Sequence, residues 1–313
     1  MTSAEKKRIG GKTAEEWCEK GSHEKDPDRK VRYYTHALEI DPRNPQAWYH
    51  RGLALSSLGQ WQEARRSFEK VLEIAPDHAG AWTGKGRSEE EEHRNDNALA
   101  SFDRTLAIDD RQPAAWFHRG RVLAALGRHG EARESYDRAL ALDDRDAQGW
   151  YFRALSLEAE GLHEEALDAL DRAVALNGKY TDAWFLQGQV LSTLDRHDEA
   201  LESLERTLAL TSRSPDAWFH KGLALHRLGR NGESASAFDR ALALDPGLAP
   251  AWYHRGIALH AAGRHGDAVK SFDRALALND RQAATWYHRG IALLEESRYD
   301  DAVTSFDRAL ALD

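Results

Sequence analysis

Residues 252–280 read WYHRGIALHAAGRHGDAVKSFDRALALND, and this stretch decides the fold. Small and apolar residues recur in it at the spacing of two successive helix faces, namely Trp252, Gly256 and Leu259, then Ala268, Phe272 and Ala275. Gly263 separates the two faces and is a helix-stop signal. The stretch therefore predicts two α-helices joined by a short turn, with Gly and Ala allowing close approach and Trp and Phe filling the gaps beside them.

The same pattern recurs along most of the chain at a fixed period. Tryptophan occurs every 34 residues at 48, 82, 116, 150, 184, 218, 252 and 286. A constant period of this length is typical of a repeat array. We count eight full repeats, starting at 45, 79, 113, 147, 181, 215, 249 and 283, and number positions within a repeat from these starts. Residues 12–44 predict a degenerate helical hairpin that acts as an N-terminal cap, and residues 1–11 predict a flexible tail.

Composition excludes several classes of protein. The chain has 313 residues, of which 30% are charged, and its net charge of −9 disfavours binding to nucleic acid. Cys18 is the only cysteine, so an intrachain disulfide is impossible and a reducing, cytoplasmic location is expected. The N-terminus lacks the apolar segment of a secretory signal, and no apolar run of ~18 residues predicts a membrane span.

Trp at position 4, Gly at 8, Ala at 20, Phe at 24 and Ala at 27, with Pro76 and Pro246 at position 32, resemble the tetratricopeptide repeat. The resemblance covers residues 45–313 in full and 12–44 loosely. It implies an all-α fold, a right-handed α-solenoid (superhelix) of stacked antiparallel helix pairs. It also implies that the first helices line a concave groove where protein or peptide partners usually bind.

The predicted groove face carries a stripe of aromatic, imidazole and aliphatic side chains. Its aromatic members at position 5 are Tyr49, Phe117, Tyr151, Phe185, Phe219, Tyr253 and Tyr287. Its histidines are His50, His118, His220, His254 and His288 at position 6, and His226 and His260 at position 12. Leu223, Ile257 and Ile291 at position 9 complete the candidate site.

Two interpretations of this stripe stay open. Position 5 either packs between adjacent first helices and recurs by duplication, or presents apolar anchors to a bound segment. In the second case, histidine would make binding sensitive to pH near its ordinary pKa of ~6.5. The repeats from 215 to 313 have the densest stripe and are the strongest candidate site.

The repeat at 79–112 departs most from the pattern. Glu89 stands where Leu recurs, His93 stands where the turn glycine recurs, and residues 89–92 are all glutamate. We expect this to be the least stable full repeat. The acidic run is interpreted as a solvated helix end with a local kink, in preference to a docking patch for a basic partner.

Two further ladders have structural interpretations. Position 7 is Arg or Lys in most repeats, which favours ion pairs with acidic residues of the second helices over a polyanion site. The histidines at position 17 do not converge on a point, so no metal site is expected; they are His129, His163, His197 and His265. No phosphate loop, nucleophile elbow or carboxylate pair is visible, so neither a cofactor nor an enzyme activity is expected.

The sequence thus predicts a non-enzymatic interaction scaffold or adaptor, or the recognition arm of a larger protein. The alternative is a self-assembly module. The last repeat ends at Asp313 with no further helix to cover it, and head-to-tail dimers or fibres would form through that uncapped end.

Overall fold

A computed structural model describes residues 8–312 of the protein as two compact units, which consist of residues 8–160 and 161–312. Residues 1–7 of the predicted tail lie outside the described residues. The helices of the first unit are α1 (Ala14–His23), α2 (Pro27–Ile40), α3 (Pro45–Ser57), α4 (Trp61–Ile74), α5 (Ala79–Glu91), α6 (Asn95–Ile108), α7 (Pro113–Ala125), α8 (His129–Leu142) and α9 (Ala147–Ala159). Near its start, Ile9 and Lys12 exchange two backbone hydrogen bonds, and Trp17 Nε1 donates to the carbonyl oxygen of Ile9.

The second unit is helical in the same way. Its helices are α10 (His163–Leu176), α11 (Thr181–Thr193), α12 (His197–Leu210), α13 (Pro215–Arg227), α14 (Asn231–Leu244), α15 (Ala249–Ala261), α16 (His265–Leu278), α17 (Ala283–Glu295) and α18 (Tyr299–Leu310). Within each unit, consecutive helices pack against one another in series. The predicted all-α fold of packed helix pairs is confirmed.

Local sequence explains where the helices begin and end. Asn44 and Ser214 accept hydrogen bonds from the third residue of α3 and α13, and a proline follows each of them at the first helical position. The turn inside most pairs needs a left-handed backbone, which glycine adopts without strain, as Gly263 does at φ 74°. His93, Asp195 and Ser297 occupy this same position at φ 57°, 57° and 58°.

Most helix pairs close because a glycine of the first helix faces a ring of the second. A Cβ built on Gly256 would lie 2.5 Å from Cε1 of Phe272, whose side chain is fully buried. The tryptophans at position 4 of the eight repeats, in contrast, are only half-buried. Trp252 Nε1 donates to the carbonyl oxygen of Pro246, and the Arg255 guanidinium lies 5.7 Å from its ring centroid. These tryptophans therefore stabilise the preceding loop through a hydrogen bond and contribute less to the core.

The cations at position 7 connect neighbouring pairs, as the sequence predicted. Arg255 donates to Asp239 Oδ1 of the preceding pair at 2.6 Å and to Ser271 Oγ of its own pair at 2.6 Å. Equivalent bonds to the preceding acid join Arg119 to Asp103, Arg153 to Asp137, Lys221 to Glu205 and Arg289 to Asp273. In several repeats, one cation thus connects three helices.

The acidic run in α5 is not the solvated helix end that the sequence predicted. Glu89 is 1% exposed, accepts a hydrogen bond from Ser101 at 2.6 Å and lies 2.8 Å from Lys85 Nζ. Glu90 pairs with His118 and Arg121 of the next repeat, and Glu92 pairs with Arg65 of the preceding one. Cations therefore pair with three of the four carboxylates. For Glu90 and Glu92, these cations belong to neighbouring repeats.

Candidate functional site

Neighbouring first helices of each unit lie side by side, and the predicted stripe runs across the line where they meet. The ring at position 5 contacts the ring at position 6 of the next repeat. The centroid distances are 5.5 Å for Phe117–Phe152, 5.4 Å for Phe185–His220, 5.7 Å for Phe219–His254 and 5.8 Å for Tyr253–His288. These contacts favour a packing role for position 5, although Phe185, Phe219 and Tyr253 remain partly exposed.

The second unit holds the longest continuous part of the stripe. Phe219, Leu223, Tyr253 and Ile257 are partly buried and pack against one core cluster that includes Phe238 and Phe272. Tyr287 continues the row and is 51% exposed. Ile291, one turn further along the same helix, is half-buried. The structure therefore places these residues together on adjacent first helices of one unit.

In the first unit the predicted stripe is interrupted. Tyr49 packs on Phe68 and His78 of its own repeat, whereas His50 is exposed and stacks on Tyr34. The next repeat has Thr83 and Gly84 at positions 5 and 6, so no ring follows. Phe117 is buried, His118 is half-buried, and Tyr151 is half-buried against Phe152.

Most of the histidines at position 6 stack on the second helix of the preceding repeat. His254 lies 6.1 Å from Phe238 at an interplanar angle of 23°, and His288 lies 6.3 Å from Phe272 at 22°. Burial, and to a smaller extent the nearby His226 and Arg227, lower the pKa of His254 to about 4. Burial also lowers the pKa of His220 and His288. The proposed titration near pH 6.5 is therefore wrong for His254, which stays neutral there.

Hydrogen bonds fix several of these imidazoles. Gln189 Nε2 lies 3.1 Å from His220 Nε2, and the amide is the donor because the neutral ring offers an acceptor nitrogen. His226 Nδ1 lies 2.8 Å from Asn231 Oδ1. His260 and His265 bring their Nδ1 atoms to 3.0 Å, and burial followed by the charge of His265 lowers the pKa of His260. These contacts therefore fix the orientation of the rings.

A polar pocket on the first unit includes residues that sequence reasoning missed. It has a volume of about 430 Å³, and its lining includes Phe117, Arg87, Arg121, Asp143 and Asp146. Arg87 and Arg121 occupy position 9, where five other repeats carry Leu or Ile. That change of residue type within a strict repeat is the signal that would have identified the pocket.

The described residues contain no cluster of three or more His, Cys, Asp or Glu side chains arranged to hold a metal ion. Between residues 8 and 312, no helix is both long and apolar enough to cross a bilayer.

Comparisons with known proteins agree with this architecture. A family model described as tetratricopeptide repeat matches residues 83–147, 119–184, 185–249 and 253–313, and a second model of the same description matches 45–78. A protein prenyltransferase alpha subunit repeat model matches only 29–58. An uncharacterized protein of Methanocaldococcus jannaschii is 35% identical over 60 residues, which are 18% of this chain and 70% of that protein.

Solved structures share the fold at low identity. The C-terminal part of a TPR repeat-containing protein from Cytophaga hutchinsonii has a TM-score of 0.61 at 16% identity, covering 73% of this chain and 94% of that one. YrrB, a TPR protein with an unusual peptide-binding site, has a TM-score of 0.55 at 22% identity, covering 64% of this chain and 99% of that one. At these identities the likeness shows the fold alone.

Proposed function

Because the chain belongs to the tetratricopeptide repeat family, we propose that it is a non-enzymatic scaffold or adaptor that holds a peptide or protein segment on its first helices. The observation that carries this proposal is the row of half-exposed rings and aliphatic side chains in the second unit. Phe219, Tyr253 and Tyr287 stand on three successive first helices, α13, α15 and α17. Preformed on rigid helices, such a row loses little conformational entropy when a partner binds.

The side chains in this row indicate the chemistry of the partner. Aromatic and aliphatic groups with neutral imidazoles suit a segment with apolar anchors and backbone groups that need hydrogen bonds. Leu223 and Ile257 lie one helical turn beyond Phe219 and Tyr253, so each helix offers two apolar contacts. The description of YrrB as peptide-binding supports this proposal by analogy of fold.

Selection of peptides from a random display library on the full chain, followed by fluorescence anisotropy, tests the proposal. Tyr287→Ser and Ile291→Ser should each weaken the selected peptides about tenfold, because each removes an apolar contact worth about 1.4 kcal/mol. Leu278→Ser on α16 is the matched control, since Leu278, at 50% exposed, is as accessible as Tyr287, at 51%, but lies on a second helix. Equal affinities for all three variants would contradict the proposal.

Phe219 and Tyr253 are less suitable test positions. Both pack against the core cluster, so truncation to alanine would also lower the free energy of unfolding. Thermal unfolding of each variant separates the two effects. A variant that retains the wild-type melting temperature and loses peptide affinity supports a binding role for the first-helix surface.

A further inference from the structure

Two histidines face each other across the turn between α15 and α16. His260 lies in the last turn of α15, and His265 is the first residue of α16. Their Nδ1 atoms lie 3.0 Å apart, and their ring centroids lie 4.9 Å apart at an interplanar angle of 61°. Both side chains are half-buried, so solvent reaches each of them. We call these two residues the histidine pair.

The histidine pair occurs in one repeat of the eight, because no other repeat carries histidine at both positions 12 and 17. The preceding repeat has His226 and Asn231 at these positions, and His226 Nδ1 lies 2.8 Å from Asn231 Oδ1. Three other histidines at position 17 have buried Nδ1 atoms without a hydrogen-bond partner, namely His129, His163 and His197. Two imidazole nitrogens therefore converge within a single repeat, rather than along the ladder at position 17.

The distance between the two nitrogens suits two ligands of one metal ion. Nitrogens that lie ~2.0–2.1 Å from an ion are ~2.9 Å apart when they subtend a right angle and ~3.3 Å apart at the tetrahedral angle. The 3.0 Å between His260 and His265 is closer to the first value. Right angles between nitrogen and oxygen ligands are typical of tetragonal Ni²⁺ and Cu²⁺ sites, and imidazole suits both ions.

The surroundings of the histidine pair are open and contain carboxylates. His265 lines an open cavity of about 700 Å³ together with Glu295 and Glu296 of the next repeat. A Cβ built on Gly266 would lie 2.5 Å from Glu296 Oε1, so this carboxylate lies beside the start of α16. Burial and the charge of His265 lower the pKa of His260, and the charge of Glu295 acts in the opposite direction. His260 therefore stays neutral at pH 7, as a metal ligand must be.

Acidic side chains pair with the cations that line the same cavity. Arg264 and Lys270 both pair with Asp267, and Arg298 pairs with Asp301. The side chain of Glu295 makes no ion pair or hydrogen bond within residues 8–312. Its negative charge is therefore available to an ion that enters the cavity.

We propose that His260 and His265 chelate one Ni²⁺ or Cu²⁺ ion through their Nδ1 atoms. Both rings then carry their proton on Nε2, so the ring that donates the hydrogen bond in the metal-free chain changes tautomer and no proton is released. Water completes the coordination, because no three His, Cys, Asp or Glu side chains of the described residues converge on one point. The bound ion connects the end of α15 to the start of α16, and this site does not depend on the proposed peptide site.

Titration calorimetry of the full chain, without an affinity tag, with NiCl₂ tests the proposal. The chain should bind one equivalent in its tightest site. His265→Asn should weaken that site at least about tenfold, because even an outer-shell partner commonly contributes about that much to metal affinity. This variant copies the contact of His226 with Asn231, so its circular dichroism spectrum should not change. His197→Asn is the matched control, since its repeat has Ser192 at position 12, and should leave the affinity unchanged.

A gain of function provides the second arm of the test. Asn231→His installs the histidine pair in the preceding repeat and should add a second equivalent of Ni²⁺ of similar affinity. With one equivalent of Cu²⁺, electron paramagnetic resonance should show hyperfine coupling to two imidazole nitrogens in the wild-type chain and to one in His265→Asn.

Several results would overturn the proposal. One is the absence of saturable binding, and another is a titration that His265→Asn leaves unchanged. Equal losses in His265→Asn and His197→Asn would mean that Ni²⁺ binds adventitiously to many exposed imidazoles. Failure of Asn231→His to add an equivalent would show that the spacing of positions 12 and 17 does not create a site.

Discussion

Gly256 shows how a single missing side chain sets the distance between two helices. A Cβ at this position would lie 2.5 Å from Phe272 Cε1, and that ring is fully buried, so it could move only by displacing its neighbours. We predict that Gly256→Ala lowers the free energy of unfolding by about 1–3 kcal/mol, because overpacking outweighs the gain in helix propensity. Urea denaturation measures this. Gly232→Ala in α14, which meets no atom within 4 Å, is the control and should be neutral or stabilising by about 0.5 kcal/mol.

The turn position tests a different property of glycine. Gly263 and Ser297 occupy the same place in consecutive repeats, at φ 74° and 58°. A side chain in this left-handed region costs about 1–2 kcal/mol. We therefore predict that Ser297→Gly raises the melting temperature and that the reciprocal Gly263→Ser lowers it, as measured by differential scanning calorimetry. Shifts of the same sign in the two variants would contradict this explanation.

At the scale of one helix, α5 stabilises a buried charge where the other first helices bury a leucine or similar group. Glu89 is 1% exposed, and its partners are Lys85 and Ser101. We predict that Glu89→Ala destabilises the chain by about 2–4 kcal/mol, because it leaves Lys85 without its anion in a site that is 18% exposed. The double variant Lys85→Leu with Glu89→Leu should recover most of this loss in urea denaturation. Equal losses in the two variants would show that the ion pair itself has no such role.

The same helix shows what sequence can and cannot predict about elements. The 34-residue period predicts the helix pairs, because the spacing of small and apolar residues depends only on local geometry. It also predicts the ion pairs that cations such as Arg255 form with acidic residues of the second helices. The acidic run was misinterpreted because its partners, Arg65 and Arg121, belong to neighbouring repeats. The spacing of residues within a single repeat does not predict which side chains of neighbouring repeats come into contact. The division into tail, cap and eight repeats stays a prediction, as does the use of the groove residues in binding.

Across the whole molecule, buried imidazoles connect stability to pH. Burial lowers the pKa of His254 to about 4, below the ~6.5 of an unfolded chain, and lowers it also for His220 and His288. Their contribution to stability is complete above about pH 6.5 and is lost as the pH falls toward the folded pKa, since the unfolded state then binds more protons. The positive charge of Arg227 near His254 acts in the same direction.

The pH dependence can be isolated with one variant. His254→Gln cannot be protonated, so we predict that its free energy of unfolding falls less between pH 7 and 4.5 than that of the wild-type chain, by about 2 kcal/mol. Carboxylates that also titrate in this range are common to both proteins and cancel in the difference. Parallel pH profiles, obtained by urea denaturation at each pH, would contradict this assignment.

Because each helix pair contacts only its neighbours, a destabilising substitution should cause local unfolding near its own pair. In the second unit, α17 packs closely on α16 and α18, and it makes weaker contact with the neighbouring first helix, α15. Gly290→Ala brings a Cβ to 2.6 Å from Phe306 Cε1 in the pair α17–α18, which among the described residues packs on one neighbouring pair only. We predict that this variant accelerates amide hydrogen exchange in α17 and α18 and leaves α11 and α12 unchanged.

The matching Gly222→Ala, which meets Phe238 at 2.6 Å in an internal pair, should instead raise exchange on both sides of α13 and α14, because both neighbours lose part of their interface. Uniform acceleration across the second unit in both variants would mean that it unfolds as one cooperative block.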